Sequence, residues 1–548
     1  MTNSPTSPHA PPAVPRRAAT VILVRDGAQG MEVLLLRRIE RANDRSSGSF
    51  VFPGGTLDPA DAQVRAACAG IDDAWASARL GLEDHGLDYY VAAIRECFEE
   101  AGVLLAIDAA GQPIALDACG ADLGDLRSRL RRGEVGMDAL CRTLGVRLAV
   151  DRLAYHSHWL TPVGLPKRFD TRFFIAEMPP GQAATPCSDE TLEHRWLRPA
   201  DALADAVGLR LPTPTRRTLQ SLAGFEIAAA CIAHAHALRD IRRILPAIAD
   251  GPKGLQPVPP GDPAYAEVLR IDPHGTGAAR YAIEPGRAVE LSPRVRRVTA
   301  SNAGLMTGPG TNTYLVGDPE GGDGWAVIDP GPPDAAHVDA ILAAAPGPIR
   351  WILVTHTHRD HSPAAAMLKA RTGAESLGMA ALHEDNQDMA FQPERTLRHG
   401  ERLQLGPRAS LRVVHTPGHA ANHLCYLLEE EKTLFTGDHV MQGSTVVINP
   451  PDGDMAAYIA SLQALQGEDL QWLAPGHGFL IGEPHAAIER LCAHRRAREA
   501  KVARAMVELG DDLDALLPRV YDDVHPALHA AARRSLLAHV LKLKREAR

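Results

Sequence analysis

The sequence of 548 residues is 45% hydrophobic and 23% charged, an ordinary globular composition that excludes a disordered or fibrous chain. The net charge of −9 is small for this length and does not indicate a dedicated nucleic-acid or membrane-binding protein. No uninterrupted run of about eighteen apolar residues is present, so we expect a soluble protein with no membrane partner. The eight cysteines are scattered without a C-x-x-C pair, which is typical of a reducing compartment, and we expect a cytoplasmic location.

Changes in composition divide the chain into five segments. Apolar, β-rich runs at Ala18–Val24 and Met31–Leu36 open the first domain, and apolar residues at helical spacing from Thr215 to Ile248 predict a long helical stretch at its end. A Gly- and Pro-rich connection follows. The predicted segments are a disordered leader (1–16), a first domain (17–250), a linker (251–285), a second domain (286–482) and a helical tail (483–548).

The clearest motif of the second domain follows a predicted buried strand that ends at Val354. Four potential metal ligands, His356, His358, Asp360 and His361, lie within six positions directly after it. Alternation turns His356 and His358 to one side, whereas Asp360 and His361, at the predicted start of a helix, are placed to face a second ion. The spacing therefore indicates a two-metal site.

Three further potential ligands share one local pattern, a His or Asp in a glycine-containing loop after a predicted strand. They are His419, Asp438 and His477. Together with the H-x-H-x-D-H box, and in this order, the motifs resemble those of the metallo-β-lactamase superfamily across about 286–482. The resemblance implies a mixed α/β fold for this part of the chain, an αββα sandwich.

The resemblance implies a role for each ligand. It assigns His356, His358 and His419 to one metal, Asp360, His361 and His477 to the other, and Asp438 to both as a bridge, with Asp360 also a candidate catalytic residue. Asp329 corresponds to the carboxylate that orients a ligand imidazole in such sites. Two interpretations of His423 stay open, a residue that supports the ligands and a residue of a helical surface.

Two divalent ions at bridging distance convert a water into hydroxide at neutral pH and screen a developing oxyanion. The resemblance therefore predicts hydrolysis. The ligands are imidazoles and carboxylates without thiolate, which fits two zinc ions, and manganese or iron stays open.

Finer features resemble one branch of the superfamily. Gly310–Gly317 and the tail around His494–Arg496 and Ser535–Leu543 look like the branch of glyoxalase-II-like hydrolases and an animal mitochondrial endoribonuclease, which implies a winged-helix-like tail. Residues 485–548 carry 13 Lys and Arg against 9 Asp and Glu, so the tail is at +4 and the remaining chain at −13. Contact with RNA and a simple solvated basic face are both open interpretations.

The first domain carries a second motif. Glu96, Glu99 and Glu100 fall on one helical face that Gly102 is placed to end, and hard divalent ions bind such carboxylate groups. With Phe52–Gly55 upstream, these residues resemble the Nudix box, whose glutamates bind magnesium or manganese during diphosphate hydrolysis. The resemblance implies an α/β/α sandwich.

The Nudix resemblance implies site residues as well. It assigns all three glutamates as metal ligands, Glu99 and Glu100 also as catalytic residues, and Gly54 and Gly55 to ligand binding. Two departures stand out. Asp61 occupies the position of the family's first glutamate, and an insertion of 26 residues, 62–87, separates it from the family's arginine, which is here Arg95.

The long insertion resembles that of the peroxisomal CoA diphosphatases, and Gly48 fits the spacing of a CoA-associated motif, so CoA is a candidate substrate. Glu190 and Glu193 are candidates for a base or an extra ligand, with plain surface charge the alternative interpretation.

Three functional hypotheses follow. In the first, the chain is a two-site metal-dependent hydrolase that cleaves an ester or thioester at the C-terminal centre, with acyl-CoA a candidate, and a nucleoside diphosphate linkage at the Nudix site. In the second, the C-terminal domain is a single-strand endoribonuclease. In the third, the Nudix half is a non-catalytic nucleotide-binding module that regulates the other half. Neither the substrates nor the oligomeric state can be predicted from the sequence.

Overall fold

The computed structural model describes residues 13–40, 47–115, 122–185, 187, 191–204, 207–252, 254–384 and 386–547. Most of the predicted leader lies outside these ranges, as do Cys119 and Glu190. The chain forms two compact units that divide between Ala247 and Ile248.

The first unit is built on one large sheet. Its strands are β1 (Arg16–Gly27), β2 (Gly30–Arg38), β3 (Phe50–Val51), β4 (Gly54–Thr56), β5 (Ala106–Ile107), β6 (Arg147–Leu148), β7 (Ala154–Leu160), β8 (Phe169–Glu177), β9 (Thr191–Leu197) and β10 (Arg243–Ile244). Eight of them form a sheet in the order β10-β7-β8-β1-β2-β3, with β4 also paired to β1 and β9 to β2, and β5 pairs with β6. Residues 18–24 of β1 are all buried, because a central strand covered on both faces has no solvent side.

Helices cover both faces of this sheet. They are α1 (Asp73–Leu80), α2 (Gly86–Ala101), α3 (Leu123–Arg131), α4 (Met137–Leu144), α5 (Pro199–Leu203), α6 (Thr213–Leu222) and α7 (Ala228–Ala237). On one face α2 packs against Ala19, Val21 and Leu23, and on the other α6 and α7 pack against Ile22 and Val24. The first unit is therefore the predicted α/β/α sandwich.

The long helical stretch predicted from Thr215 to Ile248 is wrong. The chain forms α6 and α7 with a turn at Gly224, and then the short strand β10 and the start of a further strand at Ala247. Glycine weakens a helix interior and Pro246 cannot donate the backbone hydrogen bond that a helix needs, so apolar spacing alone overestimated the helix.

The second unit contains two stacked sheets after a short strand pair, β11 (Ala247–Gly251) and β12 (Gly254–Val258). The first sheet holds, in order, β13 (Ala288–Ser292), β14 (Val295–Thr299), β15 (Asn312–Gly317), β16 (Trp325–Ile328), β17 (Ile349–Leu353), β18 (Glu375–Gly378) and β19 (Arg395–Thr396). The second holds β20 (Arg402–Gly406), β21 (Ala409–His415), β22 (Leu424–Leu428), β23 (Thr433–Gly437) and β24 (Trp472–Pro475). Tyr314 and Val316 of one sheet pack with Leu411, Val413 and Phe435 of the other.

The helices of this unit form the outer layers and the tail. They are α8 (Tyr265–Ile271), α9 (Ala335–Ala344), α10 (Ala364–Thr372), α11 (Met455–Leu465), α12 (Pro484–Leu509), α13 (Leu513–Val520) and α14 (His529–Glu546). α9 and α10 cover the first sheet, and α11 and α12 cover the second, which gives the predicted αββα sandwich. The tail helices share a small core of their own around Val502, Leu516 and Leu536. Within the described ranges no helix is both long and apolar enough to cross a lipid bilayer.

The segment predicted as a linker belongs to the second unit and contributes to its core. Glu267 of α8 is 4% exposed and forms two hydrogen bonds, of 2.6 and 2.9 Å, with the buried guanidinium of Arg297. The same carboxylate accepts the backbone N–H of Leu480 at 2.9 Å. The Gly- and Pro-rich composition of 251–285 concealed this anchor, because one buried charge has no signature in composition.

We expect Glu267→Ala to lower the free energy of unfolding of the second unit by about 3–5 kcal/mol, because it leaves the Arg297 charge buried without its partner. Calorimetry of the full chain tests this. Asp339→Ala is the control, since Asp339 pairs with Arg371 where both side chains are more than half exposed. Equal melting temperatures for Glu267→Ala and the control would contradict the anchoring role.

Candidate functional site

The first four predicted ligands lie on the loop between β17 and α10. Residues 355–361 follow the buried end of β17, and the His361 N–H donates to the His358 carbonyl at 3.0 Å in a tight turn. α10 begins at Ala364, so Asp360 and His361 lie in this turn and not in the helix predicted for them. The turn nevertheless places the side chains of Asp360 and His361 in a different group from those of His356 and His358.

The structure brings all seven predicted ligands together in two groups. The ligand atoms within each group lie within 4.8 Å of one another. One group consists of His356, His358, His419 and Asp438, and the other of Asp360, His361 and His477. Apart from Asp438, which the resemblance assigns to both metals, the grouping is the one that the resemblance implies.

Asp438 faces both groups. Its Oδ1 lies 3.4 Å from Nε2 of His361 and 3.2 Å from Nε2 of His477, and its Oδ2 lies 3.7 Å from Nε2 of His419. One carboxylate thus presents an oxygen to each side, as a bridging ligand does.

Hydrogen bonds fix the orientation of three imidazoles. The Nδ1 atoms of His361, His419 and His477 lie 2.9, 2.8 and 3.1 Å from a carboxylate oxygen of Asp329, the carbonyl of Val447 and the carbonyl of Gly310. Because carbonyl and carboxylate oxygens accept, each Nδ1 carries the proton and each Nε2 presents a lone pair to the site.

Several of these atoms have no hydrogen-bond partner among the described residues. Nε2 of His361, Nε2 of His477 and Oδ1 of Asp438 are buried and unpaired. Buried polar atoms left unpaired cost free energy, and here they are lone pairs that converge on one another. A divalent cation in each group satisfies them, so the donor set fits the metal pair that the motifs imply.

The electrostatic environment differs between the two groups. Burial lowers the pKa of His358 to about 3 and holds the pKa of His356 well below its ordinary value, so both rings are neutral and able to ligate. Burial also opposes charge on His477, but Asp438 and Asp360 raise its pKa to about 9. The carboxylates thus favour a positive charge in the second group, which a bound cation also provides.

Asp329 and His423 lie behind the ligands. Asp329 accepts hydrogen bonds from the Thr355 N–H and hydroxyl, both at 2.7 Å, and thus anchors the loop as well as His361. His423 is fully buried, with Nδ1 2.9 Å from the Thr416 hydroxyl and its ring stacked 5.0 Å from that of His356. The interpretation of His423 as a residue of a helical surface is therefore wrong.

The carbonyls of Val447 and Gly310 were not identified from the sequence. Any residue supplies a backbone carbonyl, so no residue type marks them, and only the glycine-rich stretch at 308–310 gave a weak signal.

In the first unit the two parts of the Nudix-like motif that the insertion separates in sequence are in contact in the structure. Arg95 of α2 forms hydrogen bonds of 2.8 and 3.2 Å with Asp61, and donates to the Thr56 carbonyl at 2.8 Å. The insertion forms the end of a 3₁₀ turn (Pro59–Ala67) and α1, and then returns to the start of α2. It therefore lengthens the connection without separating the partners.

The three glutamates surround this arginine and the glycine loop. Nη1 of Arg95 lies 2.9 Å from Glu96 and 3.3 Å from Glu99. The Gly54 N–H donates to Glu100 at 3.0 Å, and a Cβ on Gly55 would lie 2.4 Å from a Glu96 oxygen. The loop therefore lies directly against the carboxylate of Glu96, and a side chain at residue 55 would displace that carboxylate.

Glu193, the described member of the pair of extra candidates, lies on β9 and pairs with Arg195 at 2.7 Å and Arg37 at 3.6 Å. These contacts match its interpretation as surface charge.

Three sequence profiles match the chain. Residues 306–477 match the Metallo-beta-lactamase superfamily, 82–208 match the NUDT19 Nudix domain, and 513–548 match the Beta-lactamase associated winged helix domain.

Three relatives of the C-terminal part illustrate the similarity. Lactamase-like protein vrtG from Penicillium aethiopicum is 34% identical over 40% of this chain and 68% of its own. Atrochrysone carboxyl ACP thioesterase AgnL7 from Paecilomyces divaricatus is 30% identical over 44% and 73%. Beta-lactamase-like protein 2 homolog from Drosophila melanogaster is 32% identical over 47% and 89%.

The chain therefore belongs to the metallo-β-lactamase superfamily. It is a hydrolase in which a metallo-β-lactamase domain with a winged-helix tail follows a Nudix domain, and its fold implies binding of divalent metal.

We expect His477→Ala to remove about one metal ion per chain after dialysis, because it takes one of three ligands from the second group and leaves the first intact. Elemental analysis by mass spectrometry measures this. His485→Ala removes an exposed histidine of α12 and should leave the metal content unchanged. The same loss in both variants would contradict the assignment.

We expect Mg²⁺ affinity of the Nudix site to rise about tenfold from pH 6 to pH 8. Burial, with Glu96 and Asp61 adding to it against Arg95, raises the pKa of Glu99 to about 7, so a proton competes with the metal below that pH. Calorimetric titration on a His358→Ala, His477→Ala background, which removes a ligand from each C-terminal group, isolates the Nudix site. Glu99→Gln should flatten the pH dependence, and an unchanged slope in that variant would exclude Glu99 as its source.

Proposed function

We propose that the C-terminal unit is a dinuclear hydrolase of ester or thioester bonds, with an acyl-CoA as candidate substrate. The observation that carries this proposal is the pair of ligand groups joined by Asp438. The name of a relative, an ACP thioesterase, supports the thioester as the bond cleaved. We take the two metals to be zinc, although manganese and iron accept the same ligands.

Two divalent ions in these groups would lower the pKa of a water and polarise the substrate carbonyl. The chain's own residues hold the geometry: Asp329 fixes the loop of the first four ligands, and Asp438 keeps the groups together. Asp360 is the most exposed carboxylate of the site, at 27%, and its Oδ2 is 3.3 Å from the Thr311 hydroxyl. We assign Asp360 as the residue that accepts and holds the proton released by the attacking water.

The reaction balances without a further reactant. A water oxygen bonds to the acyl carbon, the carbon–sulfur bond breaks, and the thiolate takes up the released proton. The products are a carboxylic acid and a free thiol.

For the Nudix unit we propose hydrolysis of a nucleoside diphosphate linkage with Mg²⁺ or Mn²⁺, and CoA is the candidate substrate. The rejoined Asp61–Arg95 contact and the close approach of Gly54 and Gly55 to α2 support it. Glu96, Glu99 and Glu100 would hold the ion, which would screen the charge of the diphosphate.

The charges of the tail support cleavage of RNA less than the site supports hydrolysis of a thioester. Most of its cations pair with carboxylates, among them Lys542 with Glu499, Lys544 with Asp511 and Arg498 with Asp523. Paired charges release fewer counterions on binding a polyanion. We therefore keep RNA as an outcome of the test and not as a second proposal.

An acyl-CoA tests both sites at once, because it holds a thioester and a diphosphate. With Mg²⁺ and Zn²⁺ we expect free CoA from the C-terminal site and phosphopantetheine fragments with adenosine 3′,5′-bisphosphate from the Nudix site, identified by product mass. His358→Ala should abolish only the first product and Glu99→Ala only the second.

The matched controls are His485→Ala and Glu193→Ala, which should form both products. Cleavage of both bonds in both site variants would overturn the assignment. An intact acyl-CoA with shortening of single-stranded RNA, lost in Asp438→Ala, would instead support the endoribonuclease. Nucleotide binding without turnover, unchanged by Glu99→Ala, would make the Nudix unit a binding module.

A further inference from the structure

A short loop, residues 446–448, connects the predicted ligand His419 with the tail; its first and last residues are buried. The Val447 carbonyl accepts a hydrogen bond from Nδ1 of His419 at 2.8 Å. That bond leaves the lone pair of Nε2 facing His358 at 3.1 Å and Asp438 at 3.7 Å. The position of this carbonyl therefore decides both the tautomer and the direction of one metal ligand.

The residues on either side of Val447 are held by two tail helices. Arg495 of α12 donates to the Val446 carbonyl, and Ser535 of α14 accepts the Ile448 N–H at 3.1 Å. Arg495 is 2% exposed and Ser535 is 5% exposed. Hydrogen bonds with two buried side chains therefore hold the loop at both ends.

The apolar surroundings make these contacts rigid. Val446 and Ile448 belong to one buried cluster with Cys492 of α12 and Ala538 of α14. A backbone N–H or carbonyl in such a cluster is costly to leave unpaired, so the loop gains little by moving away.

Arg495 also contacts the surroundings of the site through Tyr458. Its guanidinium carbon lies 5.3 Å from the centre of the Tyr458 ring. The Tyr458 hydroxyl donates to the carbonyl of His439 at 2.9 Å, and Tyr458 leaves no room for a Cβ on Gly418. The residues next to Asp438 and next to His419 are therefore both in contact with Tyr458, on whose ring Arg495 packs.

We propose that the tail is a positioning unit of the metal centre, in which Ser535 and Arg495 fix the loop 446–448 and thereby aim His419 at its metal. This inference rests on the proposed function, since it takes His419 as a ligand there. It gives α12 and α14 a role that requires no nucleic acid. Loss of a partner that orients a ligand commonly weakens metal binding 10- to 100-fold.

The test compares Ser535→Ala with Ser535→Thr in the full chain. Ala removes the acceptor for the Ile448 N–H, whereas Thr retains an oxygen at the same place. Arg534→Ala is the control, because it changes the neighbouring residue of α14 where the side chain is exposed.

Three readouts are independent of turnover. Zinc affinity is measured by competition with a chromophoric chelator, the ligand field by the visible spectrum of the Co²⁺-substituted protein, and loop order by hydrogen–deuterium exchange of peptides covering 440–454. For Ser535→Ala we expect about tenfold weaker binding of one of the two ions, a changed Co²⁺ spectrum and faster exchange in these peptides. Ser535→Thr and Arg534→Ala should match the unsubstituted protein.

Unchanged zinc affinity and Co²⁺ spectrum in Ser535→Ala, with or without faster loop exchange, would overturn the positioning role. Weaker binding in Arg534→Ala to the same extent would also overturn it, because the effect would then be a general one of the tail. Failure of the proposed function is distinguishable, since it shows as absence of bound zinc or of hydrolysis in the unsubstituted protein.

Discussion

The bridging position of Asp438 is the constraint on which the C-terminal site depends. Predicted ligands from the loop after β17 and from two other loops, those of His419 and His477, converge on this buried carboxylate. Gly437 makes this possible, because it adopts φ +46° and a Cβ there would lie 2.5 Å from the Thr355 hydroxyl. The backbone can therefore turn Asp438 inward beside the loop that carries the other ligands.

The N-terminal unit also brings together site residues that are distant in sequence, here by an ion pair. Its motif is interrupted by the insertion, yet Asp61 and Arg95 pair as if it were continuous. An ion pair with one member 1% exposed joins the residue just before the insertion to α2, the helix in which the insertion ends. The length added between them is thus tolerated, because the energetic cost of a longer loop grows only slowly with its length.

That the seven residues of the two groups meet was predictable, because histidines and aspartates follow predicted strands in an order that resembles a known family, as with His356 and His358. The supporting contacts were not, since Val447 acts through a carbonyl that any residue has, and Ser535 is distant in sequence. Strand β17, which precedes the loop of the first four predicted ligands, was predicted from its apolar run. Anchors made by a single buried charge, such as Glu267 in the supposed linker, leave no periodic pattern and were missed.

The order in which the parts are synthesised has a consequence for metal loading. A ribosome makes all seven ligands, ending with His477, before it reaches Ser535. Until α14 has emerged and docked, Ser535 cannot accept the N–H of Ile448, and the loop that carries the Val447 carbonyl is held on one side only, by Arg495 of α12. On our proposal, the nascent chain passes through a stage in which all seven predicted ligands are present but His419 is less firmly oriented, and the metal centre reaches its full affinity only when α14 docks.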